Sequence, residues 1–332
     1  MNLYCLSFSD QGSRLAQRIA DGFSGTAFRC KEDLSLSSFT EEYFRSGNAL
    51  VFVGAIGIAV RAIAPVLNSK TTDPAVVVVD ECGDFVVPIL SGHLGGANEL
   101  ARKLASYLNA IAVVTTATDR NGVFAVDDWA RVQNAVIPNP EWIKTVSGAL
   151  LAGQSVRMCS EYDLEGDPPK GVVLTKEPPF DISFGIHTGN TGPSLSVVPR
   201  ILILGVGCKR GVSAEELEAA FQTLTKEHHL QPSAFLAVSS IDLKRDEPGL
   251  LQFCENHRLP LYTYSAEELE SLEGPFSDSD FVRQTTGTGN VCERSSVLAS
   301  GGTLLVPKTS YPNITMAVSA HDYQPDWKCF RE

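Results

Sequence analysis

The stretch AVVVVD at residues 75–80 is the most informative part of this 332-residue chain. Four consecutive valines with no polar residue between them are typical of a β-strand buried on both faces, as in a parallel or mixed sheet. Similar apolar stretches alternate with segments of helical spacing. They are predicted strands at 3–8, 49–53, 85–90 and 111–115, and predicted helices at 12–23, 57–67 and 98–108. The sequence therefore predicts an α/β fold in which helices flank a parallel or mixed sheet.

The same alternation begins again after residue 199 and predicts a second α/β domain. Its predicted strands are 200–205, 235–239, 259–264, 304–307 and 313–319, with a helix at 291–299. Ser213 and Ser265 are predicted helix caps, and Glu216 stands at the capping-box spacing from Ser213. Residues 125–195 are less regular, and 188–194 (TGNTGPS) have the composition of a linker. We expect an N-terminal α/β domain at 1–122, a middle linker-like domain at 123–195, a C-terminal α/β domain at 196–321 and a tail at 322–332.

The composition argues against several classes of protein. The chain is 43% hydrophobic, which is typical of a globular protein, and its net charge of −12 disfavours binding to nucleic acid or an anionic membrane. The longest uncharged apolar run, residues 49–60, is shorter than the ~18 residues that indicate a membrane span. Eight scattered cysteines without a C-x-x-C pair, and an N-terminus without a signal-peptide pattern, predict a cytoplasmic protein with reduced thiols.

Three glycine-rich segments share one predicted design, a strand followed by a glycine loop and a helix. They are 89–99 (ILSGHLGGANE), 204–211 (LGVGCKRG) and 285–291 (TTGTGNV). Glycine lets the backbone approach a ligand closely, and the N-terminus of the following helix offers N–H groups and a positive dipole end. Three such loops predict a ligand with several anionic groups. For any one loop, a tight turn that needs positive φ explains the glycines equally well.

The residues expected to bind this ligand lie in these loops and at a few other polar positions. In the first domain they are Arg61, Gly92, Gly95, Gly96, Asn98, Thr115, Thr116 and Thr118. In the last domain they are Gly207, Cys208, Lys209, Arg210, Thr286, Gly287, Thr288, Gly289, Asn290 and Glu293. Backbone amides and hydroxyls donate to carboxylates or phosphates, and the basic pair adds charge. Arg61 is equally well explained as a surface charge.

A dinucleotide site is the main alternative for the second loop. The spacing Gly205-x-Gly207-x-x-x-Gly211 has one residue more than the G-x-G-x-x-G pattern. Asp242 also lies well beyond the ~20-residue distance expected of the ribose-binding acid. The basic pair inside the loop favours direct pairing with carboxylates. These mismatches disfavour a nicotinamide cofactor.

His93 is the candidate for chemistry, because it lies between glycines in a loop after a predicted strand. Ligands bind at the carboxyl ends of strands in such folds, and a histidine ordinarily titrates near neutral pH, so it can act as a general base. Glu99 or Asp119 would orient it, although Glu99 suits a helix N-terminus and Asp119 a turn equally well. Ser91 would stabilise an oxyanion. A serine hydrolase is disfavoured, because the G-x-S-x-G pattern is absent around Ser91.

Several longer runs carry a resemblance to a known family. In the N-terminal half they are 57–65 (GIAVRAIAP), 72–81 (TDPAVVVVDE), 91–101 (SGHLGGANELA) and 115–119 (TTATD). In the C-terminal half they are 205–211 (GVGCKRG), 239–244 (SSIDLK), 286–293 (TGTGNVCE) and Lys308. Together they resemble the cobalt-precorrin-5A hydrolases of anaerobic cobalamin biosynthesis. The C-terminal runs also occur in a stand-alone cobalamin-biosynthesis protein, so the N-terminal runs are more diagnostic of the reaction.

The resemblance implies that water opens the δ-lactone of cobalt-precorrin-5A, that acetaldehyde is released and that cobalt-precorrin-5B is formed. Such an anionic tetrapyrrole agrees with several anion-binding loops on an acidic protein. The substrate carries the cobalt, so no cofactor is expected. A protein-bound metal is also disfavoured, since the adjacent histidines at 228–229 cannot easily face one ion. Our hypothesis is that His93 activates the water. The alternative is a corrinoid-binding protein without turnover, and a homodimer is left open.

Overall fold

The computed structural model of the chain describes residues 1–69, 72–189 and 194–328 apart from the side chains of Asp119 and Arg120. The chain divides into two compact units. The first contains Met1–Arg131 and Leu150–Gly153, and the second contains Val132–Ala149 and Gln154–Trp327. Within the described residues, every helix is too short or too polar to cross a lipid bilayer.

The first unit is built on a six-stranded sheet. Its strands are β1 (Asn2–Ser7), β2 (Thr26–Arg29), β3 (Asn48–Val53), β4 (Ala75–Val79), β5 (Phe85–Leu90) and β6 (Ile111–Ala112). Its helices are α1 (Asp10–Gly22), α2 (Leu36–Tyr43), α3 (Ile56–Ile63), α4 (Ala97–Leu108), α5 (Ala117–Asn121) and α6 (Val126–Val132). The strand order is β2-β1-β3-β4-β5-β6, with β4 and β5 antiparallel and the other neighbours parallel. Strands β5 and β6 therefore end at the opposite edge of the sheet from β1 to β4.

The predicted α/β class with a mixed sheet is confirmed, and the valine run is its centre. All five residues of β4 are buried, and helices pack on both faces of the sheet. The prediction of a five-residue strand at 111–115 is wrong, because β6 contains only Ile111 and Ala112. This strand lies at the edge with β5 as its partner, and Ile111 is 61% exposed. Burial on both faces ends before this edge.

The second unit contains two five-stranded sheets. The strands of the first are β7 (Ala135–Val136), β8 (Val156–Ser160), β9 (Val172–Leu174), β10 (Ile182–Phe184) and β11 (Leu195–Pro199), in the order β7-β11-β10-β8-β9, with helix α7 (Ile143–Leu151) between β7 and β8. These strands are short, and their sequence pattern is correspondingly irregular. Part of the predicted linker, residues 190–193, lies outside the described residues. The tail is ordered as far as it is described, since Tyr323 Oη donates to the Gln133 carbonyl at 2.7 Å.

The other sheet of this unit has the order β14-β13-β12-β16-β15. Its strands are β12 (Leu202–Cys208), β13 (Phe235–Ile241), β14 (Leu261–Tyr264), β15 (Thr303–Tyr311) and β16 (Ile314–Ala320). Its helices are α8 (Ala214–Glu227), α9 (Pro248–His257), α10 (Ala266–Ser271), α11 (Asp280–Thr286) and α12 (Cys292–Ser300). The predicted caps at Ser213 and Ser265 are confirmed, and both form complete capping boxes.

Two of the predicted strand–loop–helix segments have a different local structure. Strand β12 continues through Gly205 and Gly207, so these glycines lie in the sheet and not in a loop. A Cβ atom at Gly205 would lie 1.9 Å from the Cys292 carbonyl oxygen, so this glycine lets α12 pack against the strand. In the third segment the residues before Gly287 form α11, and Gly287 ends that helix with φ +81°. The predicted strand there is therefore wrong.

Candidate functional site

The loop between β5 and α4 is held mainly by its own backbone. Ser91 has a left-handed φ of 55°, and its Oγ donates to the Asp73 carbonyl at 2.9 Å. The carbonyls of Ser91 and Gly92 accept the N–H groups of Ala97 and Asn98 at 3.1 and 2.9 Å. Two donors at the start of α4 are therefore used within the loop and not offered to an anion. As an oxyanion donor, Ser91 would first have to release Asp73.

Steric and conformational constraints explain why this loop contains glycine at positions 95 and 96. A Cβ atom at Gly95 would lie 2.4 Å from the Ser91 Cβ, and Gly96 caps α4 with φ +81°. Both glycines also line a cleft of about 350 Å³, together with Glu99, Lys103 and Arg131. The loop thus opens to solvent on this side.

His93 lies at the centre of a hydrogen-bonded group of polar side chains. Its Nδ1 is 3.1 Å from Asp127 Oδ2, and its Nε2 is 3.2 Å from Thr118 Oγ1. Nε2 also lies 3.7 Å from Asp128 Oδ2, and the histidine side chain is 13% exposed. An ionised carboxylate only accepts hydrogen bonds, so Asp127 favours the tautomer with a proton on Nδ1. That tautomer leaves the Nε2 lone pair to receive a proton.

Asp127 and Asp128 belong to this group although no motif in the sequence singles them out. Both lie in the first turn of α6, next to the fully buried Trp129. Two consecutive acids followed by a buried tryptophan are unusual for a surface helix, because carboxylates are rarely buried without a partner. That combination was the available signal. The partner, His93, is 34 positions away from Asp127.

The carboxylate of Glu99, the first candidate for orienting His93, forms ion pairs with two other side chains. Its carboxylate pairs with Lys103 Nζ at 2.6 Å and with Arg131 Nη2 at 2.7 Å. Burial raises the pKa of Glu99, but its bonds to Lys103 and Arg131 outweigh that effect, so the net pKa is below the usual value. Among the described carboxylates, Asp127 is the one hydrogen-bonded to His93 Nδ1, the contact expected of an orienting acid. The side chain of Asp119 lies outside the described residues.

The other candidates of the first unit are only partly brought together. Asn98 Nδ2 donates to Thr116 Oγ1 at 2.9 Å, and this joins the segment after β6 to the loop after β5. Thr115 is exposed, whereas Thr118 is buried beside His93. Arg61 lies on the exposed side of α3, which begins where β3 ends, at the opposite edge from Ser91. Arg61 therefore does not lie at the edge of the sheet where Ser91 and the loop after β5 lie.

In the second unit, two predicted segments meet at one cavity of about 680 Å³. The predicted residues that line it are Gly207, Cys208, Lys209, Arg210, Thr286 and Asn290. Lys209 and Arg210 are exposed and follow β12, and Thr286 ends α11. The cavity opens to solvent beside the basic pair.

The TGTGN loop does bind a carboxylate, but that carboxylate belongs to the chain itself. Gly289 N–H and Thr288 Oγ1 both donate to Glu270 Oε1 at 2.8 Å. The bond from Gly289, with further bonds from Arg283 and Thr288, lowers the pKa of Glu270 to about 2. Thr288 and Gly289 are thus occupied internally, which replaces the predicted substrate carboxylate at this loop.

The carboxylate of Glu293 is also bonded to groups of the chain itself. It is 2% exposed, and its carboxylate accepts bonds from Ser277 N–H, Asn290 Nδ2 and Lys308 N–H at 2.7 to 2.8 Å. These bonds fix the loop before α12 and one residue of β15. Glu293 acts on the cavity through its neighbours, because it is not among the residues that line it.

In the part of the chain that the structure describes, one group of three side chains has donor atoms close enough to share a metal ion. Asp80, Cys82 and Asp84 lie in the turn between β4 and β5, with these atoms within 4.8 Å of one another. The Asp80 carboxylate accepts the N–H groups of Cys82 and Phe85, as expected of an aspartate in a turn. The turn geometry explains this group.

Both units of the chain match families of known proteins. The family description "Cobalamin synthesis G N-terminal" matches residues 38–119, and "Cobalamin synthesis G C-terminus" matches residues 202–319. The chain is 36% identical over 326 residues to the cobalt-precorrin-5A hydrolase of Salmonella typhimurium, covering 91% of this chain and 92% of the relative. It is 31% identical over 352 residues to the cobalt-precorrin-5A hydrolase of Priestia megaterium, covering 97% and 89%. Protein CobE of Sinorhizobium sp is 28% identical over 121 residues, covering 36% of this chain and 79% of that protein. The chain belongs to the cobalamin synthesis G family.

Proposed function

We propose that this chain is a cobalt-precorrin-5A hydrolase, which opens the δ-lactone of cobalt-precorrin-5A and releases acetaldehyde to give cobalt-precorrin-5B. The observation that carries the proposal is the similarity to two hydrolases of that name, at 36% and 31% identity over nearly the whole of each chain. The polar group around His93 adds the required base. The cobalt belongs to the substrate, and no resident cofactor takes part in the proposed steps.

The first proposed step is hydrolysis of the lactone. A water molecule takes the place of Thr118 as the partner of His93 Nε2, gives its proton to that nitrogen and attacks the lactone carbonyl. Asp127 holds Nδ1–H and stabilises the imidazolium that forms. The ring C–O bond then breaks, and the leaving alkoxide takes the proton from Nε2. One water is consumed, and a carboxylic acid, which then loses its proton to solvent, and a hydroxyl group are formed.

The second proposed step releases acetaldehyde. The new hydroxyl group lies on the former bridging carbon, which also carries a methyl group. Loss of its proton forms the aldehyde C=O bond, while the C–C bond to the macrocycle breaks and its electron pair stays on the macrocycle. His93 Nε2 has given up its proton at the end of the first step and can accept this one. No oxidant or reductant is needed.

A corrinoid-binding protein without turnover is the second candidate. The observation that favours it is the large cavity of the second unit, which requires nothing of His93. The two candidate functions predict different outcomes when the substrate is added. Cobalt-precorrin-5A incubated with the purified chain should release one acetaldehyde per substrate under the hydrolase proposal. A bound but unchanged lactone, with no acetaldehyde, would favour the binding protein.

The cysteines bear on the cellular compartment in which the reaction takes place. The seven cysteines that the structure describes are free thiols, and several are exposed or half-buried. Such thiols stay reduced in a reducing compartment, so we propose that the reaction takes place in the cytoplasm.

A further inference from the structure

We infer that the cavity of the second unit binds the carboxylate-bearing rim of a corrinoid through Lys209, Arg210, Lys244 and Lys308. The identity of the ligand rests on the proposed function, whereas the charge and shape of the cavity support the site. The cavity has a volume of about 680 Å³ and lies beside the ends of β12 and β16. Two of its four cations, Lys244 and Lys308, come from segments outside the glycine loops.

The charge of the cavity is opposite to that of the whole chain. The chain has a net charge of −12, with 39 acidic residues. Four cations line this cavity, and no aspartate or glutamate is among the described residues that line it. Concentration of one sign of charge in a concave site attracts ligands of the other sign. The excess of positive charge at the lining therefore favours a ligand with several negative charges, with Lys244 also paired to Glu247 behind the wall of the cavity.

The cavity is also apolar, which separates it from a plain phosphate site. Phe281 is 72% exposed and Leu243 is 63% exposed, and both line the cavity. The deeper wall contains the buried side chains of Ile241, Val291 and Ile314. Exposed apolar side chains beside cations fit a ligand that has apolar faces and a charged rim. A tetrapyrrole with carboxylate side chains has this chemistry.

A nucleotide phosphate is disfavoured by the start of α8. The helix follows the basic pair, but the N–H groups of Ser213 and Glu216 at its start have partners in the chain. Ser213 Oγ accepts from Glu216 N–H, and the Glu216 carboxylate accepts from Ser213 N–H. The capping box thus occupies the place where a phosphate would bind at a helix N-terminus.

Two buried glutamates position the cations without lining the cavity. Glu247 is 6% exposed and accepts hydrogen bonds from Lys244 Nζ at 2.9 Å and from Gly211 N–H at 2.7 Å. The bond to Lys244 is the main cause that lowers the pKa of Glu247. Glu293 accepts a hydrogen bond from the backbone N–H of Lys308 at 2.7 Å and so fixes the position of that residue in β15. We therefore expect Glu247 to be a positioning residue for both the loop and Lys244.

The test compares two probes that share one macrocycle. Cobyrinic acid has carboxylate side chains, and its heptamethyl ester has none. Binding to the full chain is followed by corrinoid absorbance, and the acid is expected to bind about 100-fold more tightly than the ester. K244Q and K308Q should each weaken binding of the acid about tenfold and leave binding of the ester unchanged. Matched controls are K170Q and K226Q, which remove exposed lysines outside the cavity and should leave both affinities unchanged.

Glu247→Gln tests the positioning role. It should weaken binding of the acid by about threefold to tenfold and leave binding of the ester unchanged, because only the cations are displaced. A fold defect would weaken both probes. Thermal unfolding of each variant identifies loss of the fold directly.

Three results would overturn the inference: equal affinity for acid and ester, equal behaviour of cavity and control lysine variants, or displacement of cobyrinic acid by inorganic triphosphate at the same concentration as by a second corrinoid. Failure of the proposed function is recognised separately. A chain that binds cobyrinic acid through Lys244 and Lys308 but releases no acetaldehyde would retain this site and lose the hydrolase.

Discussion

The Nδ1 atom of His93 and the Oδ2 atom of Asp127 lie 3.1 Å apart, although 34 positions separate the two residues in the chain. The bond joins the loop after β5 to the first turn of α6. It fixes the ring so that Nε2 faces the hydroxyl of Thr118. The proposed base therefore depends on an acid that lies outside the motif in which the histidine occurs.

Replacement of Asp127 by asparagine should lower kcat for acetaldehyde release about 10–100-fold, because the amide no longer enforces the Nδ1–H tautomer. The measurement is the steady-state rate with cobalt-precorrin-5A. D163N replaces an exposed aspartate and should keep the rate of the unmodified chain. Equal rates for D127N and D163N would show that Asp127 does not orient the base.

Glu99→Gln should leave kcat within about threefold, because Glu99 pairs with Lys103 and Arg131 and not with His93. It should lower the free energy of unfolding by about 1 kcal/mol at pH 7. The folded pKa of Glu99 is lowered, so its contribution is present above the unfolded pKa of about 4.3 and is lost as pH falls through the folded value. Urea unfolding at pH 7 and below pH 4 checks both points. A large loss of kcat would return Glu99 to the catalytic group.

Glu270→Gln should destabilise the second unit at neutral pH by about 1–2 kcal/mol, a figure reduced for solvent screening of a partly exposed pair. The folded pKa of Glu270 is about 2 and the ordinary value is 4.5. The stabilisation is therefore complete above pH 4.5 and is lost as the pH falls toward 2. Urea unfolding of the variant and the unmodified chain across this range should converge at the acidic end. A constant difference would mean that the ionised carboxylate is not the cause.

Gly205→Ala should destabilise the fold by about 3 kcal/mol or more, because the new methyl group would overlap the Cys292 carbonyl oxygen. Gly57→Ala is the matched control. Gly57 lies in α3 with nothing within 4 Å of a Cβ atom, and alanine is the better helix former by about 1 kcal/mol. Thermal unfolding compares the two. A mild effect of G205A would restore the interpretation of Gly205 as part of a ligand loop.

The fold class could be predicted because burial on both faces leaves a direct trace in the sequence. The four valines of β4 show it, and the capping box at Ser213 shows the equivalent local signal for a helix. The short strands from β7 to β11 leave little trace, since strands of two to five residues hold too few positions to set a pattern. Gly205 lies in a strand and not in the predicted ligand loop, and the reason is related. The sequence shows that a side chain is missing, but not whether a ligand or a helix requires the space.

The candidate site was predictable only in part. His93 and the pair Lys209-Arg210 carry their own chemical signal, and the structure places the pair on a cavity. Asp127 and Lys308 contact His93 and Glu293, which are 34 and 15 positions away in the chain, so no local pattern indicates these contacts. Lys244 has a partner nearby in the chain, Glu247, but its place on the cavity depends on the fold. The TGTGN loop shows the opposite case, because its donors have the predicted chemistry and Glu270 already uses them. Whether a donor is free depends on tertiary contacts.

The most direct measurement is single-turnover release of acetaldehyde from cobalt-precorrin-5A by the unmodified chain, by H93Q and by H228Q, which changes an exposed histidine. We expect the unmodified chain and H228Q to release one equivalent at the same rate, and H93Q to be slower by at least about 100-fold while its unfolding temperature is retained. Release by a folded H93Q at the rate of H228Q would contradict the assignment of His93 as the base.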